Sequence, residues 1–69
     1  MFQCVKRFQV GQKVRMQCTE RGDQVRIWPA DEGEKMVVNV AEDHIILEDE
    51  TAGVRLRIPV HYIKYTPPQ

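Results

Sequence analysis

The stretch Met36 to Ile63, MVVNVAEDHIILEDETAGVRLRIPVHYI, decides the fold. Met36, Val38 and Val40 alternate with Val37, Asn39 and Ala41 until Glu42-Asp43 breaks the run, and Ile45 and Leu47 then carry a second strand. After the polar segment Asp49-Glu50-Thr51-Ala52-Gly53, Val54, Leu56 and Ile58 point one way while Arg55 and Arg57 point the other. Such period-two alternation, bounded by turn residues, reads as three meandering strands. Glu42-Asp43 suits a tight hairpin and Glu50 to Gly53 a longer one, with Gly53 placed where the turn needs a positive φ. At Ile58-Pro59-Val60-His61-Tyr62-Ile63 the pattern changes. Proline fixes φ, and a single 3₁₀-like turn there drops Tyr62 and Ile63 into the core.

Working outward toward the front, Val10, Val14, Met16 and Cys18 share one face opposite Lys13, Arg15 and Gln17, which predicts a first strand over residues 10–18. Thr19 to Asp23 is a turn cluster, with Gly22-Asp23 suited to a bend that needs one positive φ. Alternation resumes from Gln24 to Trp28, and Pro29, which cannot donate to a ladder, ends it. Trp28 then stands either as an aromatic lid on one end of the core or as an exposed recognition residue. Residues 1–9 read as an N-terminal edge strand or arm, 10–66 as the domain, Lys64-Tyr65-Thr66 as a last short strand, and 67–69 as a frayed tail. No repeat, heptad or convincing helical period is present. The predicted core is Val14, Met16, Val25, Ile27, Val38, Val40, Ile45, Leu47, Val54, Leu56, Ile58 and Ile63.

A chain of 69 residues is one domain, and folding at that size buries only about 60% of the surface that the unfolded chain exposes. Help from a partner subunit, most simply a homodimer, is therefore expected. Hydrophobic residues make up 42% and charged residues 29%, which excludes a disordered chain. No apolar run approaches the roughly 20 residues of a membrane helix, and Met1 to Arg7 lacks a signal-peptide core, so a cytoplasmic location without membrane partners is expected. Net charge is zero but segregated. Residues 1–28 carry six cations against Glu20 and Asp23, a net +4; residues 29–52 carry eight acids against Lys35, a net −7; residues 53–69 add Arg55, Arg57 and Lys64. A surface divided this way steers charged partners or pairs with a copy of itself.

Gly11-Gln12-Lys13-Val14-Arg15 at the front, with Gly53, Ile58-Pro59 and Tyr62-Ile63 at the back, resembles the Src-homology-three-like small barrel over residues 8–66. The resemblance implies an all-β barrel of five or six strands with one 3₁₀ turn near the C-terminus. Within that architecture, the eukaryotic peptide-binding domains are similar at Ile58-Pro59 and Tyr62, with Trp28, Asp31, Glu32 and Glu34 in the long loop but no early Tyr pair. The plasmid-borne type II dihydrofolate reductases are similar at Phe8 to Arg15 and at Pro59-Val60. Their Val-Gln-Ile-Tyr substrate motif is Arg55-Leu56-Arg57-Ile58 here, so no reductase activity carries over. The carbon-storage regulators, small dimeric RNA-binding β proteins, are faintly similar at Met1 to Arg7 and at Gly22 to Ile27, without their closing Val-His-Arg motif.

The chemistry of the chain points to binding rather than catalysis. His44 and His61 are the natural general bases, yet neither has a Ser or Cys beside it in sequence. The four glycines are isolated, so no phosphate loop exists. Asp43, Glu48, Asp49 and Glu50 lack the ligand order of a calcium loop. Cys4, Cys18, His44 and His61 lack the paired spacings of a zinc site, and the cysteines read as reduced, partly buried thiols. Neither a metal nor a cofactor is expected. The candidate binding residues are Lys13, Arg15, Arg26, Trp28, Arg55, Arg57, His61 and Tyr62, all on outward positions or in the Pro59 bend. The expected partner is a protein or a second copy; the alternative is single-stranded RNA or DNA on a basic strand face.

Overall fold

The computed structural model describes residues 8–68. Among the described residues, six strands form one mixed sheet: β1 Lys13–Cys18, β2 Val25–Pro29, β3 Lys35–Val40, β4 His44–Asp49, β5 Val54–Pro59 and β6 Ile63–Lys64. The strand order is β5-β4-β3-β1-β2-β6, so β5 and β6 are the two edges. A 3₁₀ turn, Val60–Tyr62, links those edges directly in the chain. The described residues contain no α-helix, and no helix there is long and apolar enough to cross a membrane. Among the described residues the all-β expectation holds and the ladder is open, since no backbone pairing joins β5 to β6.

The meander forms because each strand's neighbour is the next in sequence. β3 pairs with β4 and β4 with β5, all antiparallel, with Leu47 opposite both Val37 and Leu56 and Ile45 opposite both Val40 and Ile58. Val37 is fully buried, where simple alternation puts Val38 and Val40 on the core face. The reason is a register shift between Val37 and Asn39, a bulge in which Val38 is the extra residue. One inserted residue reverses the parity, so Val37 and Val40, three apart in sequence, face Leu47 and Ile45, which are two apart. Val54 is likewise 49% exposed, at the first position of the edge strand β5.

The β4–β5 turn is built by one acidic side chain and one glycine. Asp49 Oδ1 accepts hydrogen bonds from the N–H groups of Thr51 (3.0 Å) and Ala52 (3.2 Å), and Gly53 closes the turn by donating to the Asp49 carbonyl (2.8 Å) at φ 70°. Those two backbone bonds to the carboxylate, with Lys35 at 3.5 Å, hold the Asp49 carboxyl below its ordinary pKa.

The front of the chain completes the core. β1 pairs with β2 over five residue pairs and with β3 over two, while β6 runs parallel to β2. The first strand starts at Lys13 rather than residue 10, and Val10 is 66% exposed. Gly33 has to be glycine because a β-carbon there would collide with the backbone of Val14. Pro29 is the last residue of β2, so the strand ends there as expected. Its position is tolerated because alternate residues Val25, Ile27 and Pro29 turn their backbone toward β6, which pairs only with Val25 and Arg26.

The core consists of Phe8, Val14, Ile27, Val37, Ile45, Leu47, Ile58 and Ile63. Met16, Val25, Val40, Leu56, Val60 and Tyr65 pack partly buried against it. Phe8 was assigned to an edge strand or arm by its sequence; it is 4% exposed and stacks on Tyr65, with ring centroids 5.6 Å apart. Cys18 is exposed rather than partly buried. Cys4 and the remainder of the N-terminal arm, residues 1–7, lie outside the described residues, as does Gln69.

Candidate functional site

The sheet's outward face can be assembled row by row from its register. Arg55 lies opposite Glu48, Glu48 opposite Met36, and Met36 opposite Lys13. Arg15 lies opposite Trp28, and Gln17 opposite Arg26, which in turn neighbours Lys64. The cations therefore fall into two groups. Lys13, Arg15, Arg26 and Lys64 stand on β1, β2 and β6 with half-buried Trp28, and Arg55 and Arg57 stand on β5. β3 and β4 separate the groups along the sheet, and at about 4.8 Å per strand that is roughly 14 Å from β5 to β1.

In the first group one cation is ion-paired and another is hydrogen-bonded to a neutral side chain. Arg15 meets Glu32 at 3.8 Å, and Arg26 donates to Thr66 Oγ1 at 3.0 Å. Trp28 is neither an end lid nor fully exposed: it stands beside Arg15 in a shallow hollow that Pro67 and Pro68 help to line. Arg55 and Arg57 are exposed and enter no ion pair among the described residues. Their own segment supplies no acid, and the cross-strand neighbour Glu48 is visible only from the register.

Beside β5 lies a groove of ≈ 390 Å³. Met16, Val25, Leu56 and Ile58 contribute its apolar lining, and Arg57 and Tyr62 also border it. It opens where the β1–β2 hairpin approaches the β5 edge without pairing to it. The 3₁₀ turn sends Ile63 inward, as the sequence predicts, but leaves Tyr62 48% exposed. His61 stacks on Tyr62 with ring centroids 4.8 Å apart, giving the groove an aromatic end.

The backbone of β5 carries the feature that side chains do not reveal. Val60 N–H donates to the Asp43 carbonyl at 2.8 Å, one step beyond the His44–Pro59 pair. Hydrogen-bonded and non-hydrogen-bonded pairs alternate along an antiparallel ladder. Counting back from Val60, residues Ile58, Leu56 and Val54 exchange bonds with β4. Arg55, Arg57 and Pro59 turn their peptide groups away from it. The β3–β4 turn confirms the phase: Ala41 N–H donates to the His44 carbonyl at 2.9 Å, so His44 and Ile46 bond toward β3, leaving Ile45 and Leu47 for β5. Unpaired among the described residues, this edge thus presents N–H and C=O at Arg55 and Arg57 and, because proline has no N–H, only a C=O at Pro59.

His44 and Asp43 form the one side-chain constellation with a catalytic look. Asp43 Oδ1 lies 2.6 Å from His44 Nδ1, and that hydrogen bond holds the Asp43 carboxyl below its ordinary range. No hydroxyl or thiol is hydrogen-bonded to the ring among the described residues. No three His, Cys, Asp or Glu side chains gather as a metal centre among the described residues.

The groove residues Met16, Val25, Leu56 and Ile58 were legible as apolar alternation but not as a site. The signal available was an excess of apolar inward positions on strands whose ends lack a partner strand. No family model matches the chain, and neither does any curated protein or solved structure.

Proposed function

We propose that the chain is a non-catalytic binding module, a Src-homology-three-like small barrel left open along one seam, and that it contacts another protein through the groove at that seam. The observation that carries this reading is the coincidence of an apolar groove with a strand edge that is unpaired among the described residues. The groove supplies pockets for side chains, and the edge supplies backbone donors and acceptors, which are the two requirements of peptide recognition by strand addition. Tyr62 and Arg57 at its border are residue types that concentrate binding energy at interfaces.

A random peptide library selected on the immobilised full chain tests the reading. Sequences should be enriched whose affinity falls at least about tenfold on Tyr62→Ala, an exposed position whose loss leaves the core intact. A selection that yields no binder sensitive to Tyr62 overturns it. Single-stranded nucleic acid on Lys13, Arg15, Arg26 and Trp28 is the second reading, supported by their shared face. It requires a labelled mixed-sequence oligonucleotide to bind at low salt and to be released steeply as salt rises.

A further inference from the structure

We infer that the groove takes an extended peptide that adds as a seventh strand to β5, placing one acidic residue opposite Arg55, another opposite Arg57, and an apolar residue between them opposite Leu56. This rests on the binding-module reading and names the class of partner. The register is imposed by the backbone. On this edge, unpaired among the described residues, only Arg55 and Arg57 present both N–H and C=O, so the residues of an antiparallel incoming strand that exchange bond pairs stand opposite those two. Side chains on one face of a sheet lie in line across strands, so the incoming residues at these two positions share the outward face with the arginines. The residue between them points to the other face, toward Leu56 and the groove.

Charge selects among possible strands. Glu48 on β4 already stands opposite Arg55, and Arg57 acts on Asp43 across the same strand, yet neither arginine closes an ion pair among the described residues, so carboxylates directly opposite on the outer side are favoured. The same pair opposes a second copy. In any β5–β5 antiparallel register centred on Arg55, Leu56 or Arg57, at least one arginine lies directly opposite another, and like charges so placed are destabilising. Charged side chains and a proline on an edge strand commonly serve only to block aggregation. Blocking alone leaves the apolar groove beside the edge without a use, whereas an acidic strand satisfies edge, groove and charge together.

The test uses four capped seven-residue peptides and the full chain. One alternates Glu with Val, the second replaces Glu by Gln, the third replaces Glu by Lys, and the fourth is the Glu peptide N-methylated at the residues that would bond to Arg55 and Arg57. Titrations followed by backbone amide shifts should show the Glu peptide binding about tenfold tighter than the Gln peptide, as two cross-strand charge pairs imply. The Lys peptide should not bind. The largest shifts should fall on the Arg55 and Arg57 amides, whose hydrogen exchange slows, and R55Q/R57Q should remove the preference for Glu over Gln. Equal affinity for Glu and Gln peptides, or full binding of the N-methylated one, overturns the inference. If none of the four binds while the library yields Tyr62-dependent binders, the inference fails and the binding-module reading stands. If the library is empty as well, both fail. Displacement of the Glu peptide by an oligonucleotide that shifts the same amides overturns it in favour of nucleic acid.

Discussion

The meander β3–β4–β5 and the flanking set β1, β2 and β6 share one sheet but are assembled on different principles. In the meander, every strand pairs with its sequence neighbour through a short turn, so the contacts are local. In the flanking set, β1 reaches β3 through only two residue pairs, and β6 lies parallel to β2 with the whole meander between them in the chain. Parallel pairing always requires a long crossover, and here the meander itself supplies it. The local half therefore holds the order, while the non-local half decides whether the core closes, through Phe8, Val14, Ile27 and Ile63.

Removing a core side chain from either half should have the largest effect on stability. Phe8→Ala should cost about 3–5 kcal/mol and Leu47→Ala about 2–5 kcal/mol, read as a fall in denaturation midpoint at constant slope. A cost under about 1 kcal/mol for Phe8→Ala would mean that the front of the chain is dispensable to the core. Leu56, half-buried on the groove, sharpens the contrast within the meander: its replacement by Ala should cost clearly less than that of Leu47.

Turn chemistry comes next. Gly53→Ala forces a β-carbon into the left-handed region at φ 70° and should cost about 1–2 kcal/mol. Asp49 contributes through its ionised form. Its folded-state pKa is depressed, first by the Ala52 N–H bond, so its contribution is present above the ordinary aspartate value. It is lost as pH falls below about 4 toward the folded pKa. Asp49→Asn should flatten the acid limb of a stability–pH profile without moving the neutral plateau as far as a core substitution does. Smallest of all, R55Q/R57Q should change stability by no more than about 0.5 kcal/mol, because both side chains are exposed. A large loss would mean that the β5 arginines hold the fold rather than await a partner.

The alternation of Ile45, Leu47, Leu56 and Ile58, the positive φ at Gly53 and the Pro59-led 3₁₀ turn were all legible in the sequence. Each is a preference of a short segment: side-chain parity, a missing β-carbon, a fixed φ. The candidate cations were legible as outward positions for the same reason, but not their division into two groups, since strand order is no property of any one strand. Parity itself failed at Val37 and Val38, where a single bulged residue reversed the face, and at Val54, where the edge left an inward position uncovered. Phe8 and Tyr65 lie at opposite ends of the chain and stack only because the sheet brings those ends together. The free peptide groups of Arg55 and Arg57 were decided by tertiary structure alone, because hydrogen-bond phase depends on where β4 sits and on what does not pair beyond β5.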